Sequence, residues 1–277
     1  MSKKVIYGNC ALCGKKEKLT FEHIPPKEAF NSSPARPVTG DKIVGQKGRL
    51  PWDTSGLRYE NLQQGMGKTC LCEGCNNNTG SWYANEYISF AHTIHKMLTT
   101  EDLSKNKVVK INDVYPLRLI KQVLSNFCSI NNDSEDERFR YLGDFVLNKE
   151  TKGLDKTKYK LCMYFTKSNF TKYAPYSVVG KIGVHGYDCM AVSEITAYPL
   201  GFVLYFEPTD TWVYEGIDIT GMANYGYNDL CDIELLLCIK EVNDIFPTFY
   251  RTKEEIEECV KENEKWAREN LEKNKQR

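Results

Sequence analysis

The sequence predicts an α+β protein: a small cysteine-clamped module, then helices, then a mostly antiparallel sheet. Three observations carry this. Two Cys-x-x-Cys pairs, Cys10/Cys13 and Cys72/Cys75, are separated by 58 residues in the first third of the chain. Apolar residues then recur at helical spacing through two segments. Beyond about residue 150 the pattern shifts to period two, in short apolar runs broken by Gly, Pro and Asp. The 277 residues divide into a module at 1–100, an α+β domain at 101–250 and a charged C-terminal helix at 251–277.

Residues 5–30 read as a small knuckle hairpin. Val5, Ile6 and Tyr7 are strand formers, and Cys13-Gly14 supplies the turn. Residues 31–58, rich in Pro, Gly, Ser and Thr, read as a loop insertion. A helix is expected from about Ser81, with Ala84, Tyr87, Ile88, Ala91, Ile94 and Leu98 on one face. A second begins at Pro116, a residue suited to a first helical turn, and carries the stripe Leu117, Ile120, Val123, Leu124 and Phe127. Residues 131–138 form a polar break. The segments 158–166, 177–185, 201–208 and 233–242 then read as strands. In the last helix Thr252 and Glu255 fit a capping box, and Glu264/Arg268 and Glu269/Lys273 fit i,i+4 pairs.

The net charge is zero but unevenly spread. Residues 1–80 hold twelve Lys/Arg against seven Asp/Glu, a balance of +5, and residues 81–277 hold the complementary −5. A basic first segment points to a polyanion partner there. No run of 18 apolar residues exists, which excludes a membrane-spanning helix by sequence. The opening MSKKVIYGNC lacks the apolar core of a secretory signal, so a cytoplasmic location is expected. In that reducing setting, paired cysteines at fixed spacing are metal ligands rather than disulfides. Each pair makes a turn aiming two thiolates at one point, and Cys10, Cys13, Cys72 and Cys75 together complete a tetrahedral structural Zn²⁺ site. Cys70 is expected to be a strand residue pointing elsewhere.

Between the pairs lies Thr20-Phe21-Glu22-His23-Ile24-Pro25-Pro26, and Asn76 follows the last cysteine at once. In this order of Cys-x-x-Cys, Glu22-His23 and Cys-x-x-Cys-Asn, roughly residues 8 to 98 resemble the zinc-bearing branch of the HNH endonucleases, the ββα-metal superfamily. The resemblance implies a metal-dependent endonuclease that hydrolyses phosphodiesters in DNA, with RNA not excluded, in restriction, a mobile element or phage defence. It implies His23 as general base, Glu22 and Asn76 as ligands of a catalytic Mg²⁺ or Mn²⁺, and Asn61 as the amide that orients the base or its loop. An imidazole titrating near neutrality suits proton removal from water. Neighbours on a strand face opposite ways, so a bulge or turn is needed to bring Glu22 and His23 to one phosphate. This chain departs from the family in having Glu22 where Asp is usual, Asn76 where a final histidine is usual, and the 31–58 insertion.

Plainer readings stand beside these. His23 fits an ordinary hydrogen-bonded histidine near a zinc knuckle. His92 and His95 lack a third ligand at a fitting spacing, so His95 is expected in the core and His92 at the helix edge. Asn77, Asn78 and Thr79 fit turn and cap residues. Trp82 and Tyr83 are expected to pack the helix onto its hairpin rather than stack on bases. The alternative function is a zinc-stabilised module that binds nucleic acid or protein without catalysis. Residues 101–277 are the expected site of a protein partner or homo-oligomer contact.

Overall fold

The computed structural model describes residues 5–44, 50–100, 108–132, 136–183 and 186–275. It is a mixed α+β fold with antiparallel sheets. Residues 184–185 of the expected strand 177–185, 133–135 of the polar break, 45–49 of the insertion, and the partner in the Glu269/Lys273 pair lie outside the described residues and side chains.

The first three strands make one sheet in the order β1 (Ile6–Asn9), β2 (Lys16–His23), β3 (Gly67–Cys72). A short helix α1 (Gly40–Val44) lies in the insertion between β2 and β3. From Cys72 the chain enters α2 (Glu73–Thr79) directly, passes through one wide π-type turn at Gly80–Ala84, and continues as α3 (Asn85–Thr100). The helix expected from Ser81 therefore starts eight residues earlier, at Glu73. Extended Cys72 serves as its N-cap residue, so Asn77, Asn78 and Thr79 are helical, with the Thr79 hydroxyl donating to the Cys75 carbonyl at 3.0 Å.

After β4 (Val108–Val114) comes α4 (Pro116–Asn131), the centre of the molecule. Leu117, Ile120, Val123, Leu124 and Phe127 are all fully buried, as their spacing predicts. So are Lys121 and Ser125 on the other side, because α4 is surrounded rather than laid on a surface. Next is α5 (Glu137–Leu147), which the polar break conceals in the sequence. The Asp136 carboxylate caps it by accepting from Arg138 N at 2.9 Å. Gly143 on α5 lies against the Leu12 carbonyl of the knuckle, where a Cβ would stand 2.3 Å from the oxygen. Only glycine permits that approach.

Five strands follow in a second sheet: β5 (Tyr159–Phe165), β6 (Lys172–Gly183), β7 (Gly186–Ala197), β8 (Leu200–Phe206) and the two-residue β9 (Ile217–Asp218), ordered β6-β7-β8-β5-β9 and antiparallel. A short ribbon pairs β4 with β10 (Cys231–Leu236). The strand expected at 233–242 stops at Leu236. Beyond it the chain becomes a strap, bonded to β5 by Phe165 N to Cys238 O and Lys240 N to Phe165 O, both 2.8 Å. The chain ends in α6 (Lys253–Lys275), whose capping box forms as expected: Thr252 N donates to Glu255 at 2.8 Å, and Glu255 N donates to the Thr252 hydroxyl at 3.2 Å.

Both faces of the central strands β5 and β8 are buried. Leu161, Met163, Phe165, Phe202 and Leu204 join one continuous core with α3, α4, α5 and the knuckle. Cys162, Tyr164, Val203 and Tyr205 face the other way, beneath Trp212 and Val242 of the strap side. A buried ion pair sits there: Lys172 Nζ lies 3.1 Å from Glu194. The Glu194 carboxylate also accepts from Tyr164 Oη at 2.6 Å and Thr248 N at 2.7 Å. Those bonds offset the desolvation of the pair and tie the strap to β7. Among the described residues no helix is long and apolar enough to cross a membrane.

Candidate metal centre and histidine site

The knuckle turn starts the site. Gly14 N donates to Cys10 O at 2.9 Å, closing Cys10–Gly14, and Cys10 N donates to Lys15 O at 2.9 Å, so the turn passes directly into β2. Ala11 N donates to Cys70 O at 2.9 Å, which stitches the turn to β3. Two residues on, at the last residue of β3, Cys72 N donates to Cys10 Sγ at 3.3 Å. Cys10, Cys13, Cys72 and Cys75 thereby gather with all four sulfurs within 4.8 Å of one another, and Cys13 and Cys72 at 3.9 Å. A Zn–S bond of about 2.3 Å in a tetrahedron places sulfurs about 3.8 Å apart, so this donor set fits a structural zinc ion. The thiols alone do not share protons evenly. The hydrogen bond with Cys75 pulls Cys10 down to about 4, while Cys75 is driven far above the ordinary thiol range. A divalent cation resolves that crowding by taking all four as thiolates.

Cys70 stays outside the cluster. Its thiol faces the Lys68 carbonyl at 3.6 Å, and burial pushes it up to about 12. It is the extra residue of a bulge: Thr20 pairs with Leu71, and Phe21 pairs with Thr69.

The bulge lies on β3, not on β2, so β2 keeps its alternation. Phe21 and His23 share the open face, with ring centroids 5.0 Å apart and edge to face. Glu22 lies on the covered face and is only 9% exposed. Strand geometry thus turns Glu22 and His23 away from each other. His23 Nε2 lies 3.1 Å from the Gln64 carbonyl. Asn76, one residue beyond the last cysteine, donates its amide to Thr20 Oγ1 at 2.9 Å and to Phe21 O at 3.2 Å. Thr20 and Glu22 are two apart on one strand and share a face, so Asn76 is joined to the Glu22 side of β2. Its amide oxygen is the half left for another partner.

Glu22 has no hydrogen-bond or ion-pair partner among the described residues. Its cross-strand neighbour Lys68 donates instead to the Ile130 carbonyl at the end of α4, at 2.8 Å. Burial without a donor pushes the Glu22 carboxyl up to about 7.

Asn61 is exposed in the loop before β3, and no hydrogen bond joins it to His23 among the described residues. The amide that fixes the loop is Asn31. Its Nδ2 donates to Pro25 O at 2.7 Å and Met66 O at 2.8 Å, and its Oδ1 accepts from Met66 N at 2.7 Å. Gly65 makes room for it. At φ +100 it occupies a conformation open to glycine, and a Cβ there would stand 1.9 Å from the Asn31 carbonyl. The Ile24 carbonyl accepts from Tyr173 Oη on β6, which anchors this loop to the large sheet.

His95 is half-buried rather than in the core. Its Nδ1 lies 2.7 Å from Tyr198 Oη and its ring 4.7 Å from Phe30, because the buried stripe of α3 runs through Ala91, Ile94 and Leu98. His92 is exposed at the helix edge, with Nε2 2.9 Å from Glu28 O. Tyr83 is buried and donates to Val146 O at 2.7 Å, and the half-buried Trp82 packs on the core; Tyr83 thus anchors the helix to α5 rather than to its hairpin. No family model matches the chain, and no curated protein or solved structure matches it either.

Two outcomes follow. Metal analysis of the purified protein is expected to find about one zinc per chain, with Cys13→Ser losing it and melting at lower temperature. Zinc-free protein with unchanged melting contradicts this. The second concerns Glu22, whose folded pKa near 7 lies above its unfolded value of 4.5. The stability tied to its protonated form is complete below about pH 4.5 and is lost as pH rises through 7. In urea unfolding without added divalent metal, Glu22→Gln gains on the wild type by about 2–3 kcal/mol between pH 5 and pH 8. A pH-independent difference rejects the assignment.

Proposed function

We propose that the protein is a metal-dependent nuclease of the HNH type, hydrolysing phosphodiester bonds in DNA. The observation that carries this reading is Glu22: a nearly buried carboxylate without a donor, on the strand face to which Asn76 is bonded, one residue from a histidine on the open face. A buried carboxylate is costly unless it is protonated or meets a cation. Glu22 and the Asn76 amide oxygen offer hard oxygen ligands of the type Mg²⁺ and Mn²⁺ prefer. Such an ion supplies charge stabilisation at the phosphate and leaving oxygen.

The chain's own groups do the rest. The Gln64 carbonyl accepts the Nε2 proton of His23, which fixes the tautomer and leaves Nδ1 with its lone pair to take a proton from water. The four-cysteine cluster and the Asn76 bonds to β2 hold α2 against the strand that carries both groups. A phosphate served by both faces must lie across the C-terminal end of β2, where Ile24-Pro25 turns the chain away.

A second reading, a binding module without catalysis, is favoured by one observation: Glu22 and His23 point to opposite faces. The assay that separates the two incubates the full chain with supercoiled DNA, with and without Mg²⁺ or Mn²⁺. The nuclease reading expects metal-dependent nicking that falls roughly 10²–10⁴-fold in His23→Ala, with zinc content unchanged. Glu22→Gln is expected to raise the metal concentration needed, and Asn76→Ala to do so more mildly. Equal cleavage by wild type and His23→Ala, or none with any nucleic acid, leaves the binding module.

A further inference from the structure

The insertion between β2 and β3 is a built lobe next to His23. Its two ends are paired: Ala35 N donates to Leu62 O at 2.8 Å, and Leu62 N donates to Ala35 O at 3.0 Å. Two residues beyond Leu62, Gln64 touches His23. At the far side the lobe leans on the body, with Lys253 Nζ 5.5 Å from the centre of the Trp52 ring. Ile43 and Leu57 are buried within it. The lobe is therefore held at both ends relative to the histidine.

Residues 31–58 carry five Lys/Arg against two Asp/Glu, which is most of the positive balance of the first eighty residues. A cavity of about 380 Å³ opens in this lobe, lined in part by Thr39, Lys42, Arg58, Tyr59 and Glu60. Lys42 Nζ donates to the Arg58 backbone carbonyl at 3.1 Å, and both residues line the cavity. The Arg36 guanidinium lies 5.1 Å from the centre of the Tyr59 ring, and that ring is 43% exposed. Among the described residues Arg36, Lys42 and Arg58 form no ion pair. Exposed cations around a half-open aromatic ring suit a backbone phosphate with an unstacked base beside it. A duplex presents no such free base.

We propose that this lobe binds an unpaired strand of nucleic acid, with a base stacked on Tyr59 and phosphates at Arg36, Lys42 and Arg58, and so feeds single-stranded or frayed substrate toward His23. This rests on the nuclease reading for its purpose but not for its binding. Tyr59 is five residues from Gln64, so the two lie within about 18 Å, the reach of five extended residues. Phe21, 38% exposed beside His23, offers a second ring at the near end of that path.

Fluorescence anisotropy with a labelled single-stranded 15-mer and the matching blunt duplex tests it, using the full chain without added divalent metal. The wild type is expected to bind the single strand more tightly. Tyr59→Ala is expected to weaken that binding roughly tenfold, while Tyr59→Phe, which keeps the ring, binds as the wild type does. Arg36→Glu with Arg58→Glu is expected to weaken it too, and to flatten the dependence of log K on log salt by roughly 0.7 per lost contact. Wild-type binding by Tyr59→Ala and by the double variant overturns the proposal. So does equal affinity for duplex, or no binding of either oligonucleotide. Binding as proposed without cleavage under any metal leaves the lobe's role standing and removes the nuclease reading.

Discussion

The clasp of four cysteines is the constraint on which the candidate site depends. It joins the turn before β2 to the junction of β3 and α2, two places far apart in sequence. A three-stranded sheet with a short seven-residue helix has too little apolar surface to hold itself together. Metal ligation at such a clasp is folding energy, because the unfolded chain has no preformed site. What the clasp fixes is local and specific: Asn76 follows its last ligand, and its amide reaches back to Thr20 and Phe21 on β2. Glu22 and His23 are the next residues along that strand.

The rest of the protein holds the other end of β2 and also packs on the clasp. Tyr173 bonds the Ile24 carbonyl, Lys68 bonds the end of α4, and Gly143 lets α5 approach the knuckle backbone. Lys68 has a consequence for chemistry. By register it faces Glu22, and an ion pair there would have neutralised the carboxylate. Its use at α4 leaves Glu22 buried without an ionic partner, the feature on which the proposed cation site rests.

The sequence revealed most where one local rule decides. The cysteine spacing located the clasp, because a Cys-x-x-Cys turn sets its own geometry. The stripe of α4 and the capping box of α6 were legible for the same reason. Legibility failed where tertiary context decides. β7 contains Asp188, Ser193 and Glu194, and reads as polar until Lys172 and Tyr164 are placed beside Glu194. α5 lay behind a run of charges, although Phe139, Leu142, Phe145 and Val146 follow helical spacing. The asparagine that fixes the histidine loop is Asn31, and its partners Pro25 and Met66 lie 6 and 35 residues away, so no spacing rule marks it. Nor does alternation along Leu19-Thr20-Phe21-Glu22 suggest a buried carboxylate beside an exposed Phe21. The side chains of β2 still alternate; what changes between Leu19 and Phe21 is which face the rest of the protein covers, at the level of the Cys70 bulge.

The central claim is that Glu22 is kept buried and unpaired so that it can hold a divalent cation at the end of β2, on the face opposite His23. Mn²⁺ titration of the zinc-loaded full chain, with free Mn²⁺ followed by electron paramagnetic resonance, tests this without relying on any substrate. The account predicts one Mn²⁺ site per chain in the wild type, lost in Glu22→Gln and weakened in Asn76→Ala, with zinc content the same in all three. Undiminished Mn²⁺ binding by Glu22→Gln contradicts it.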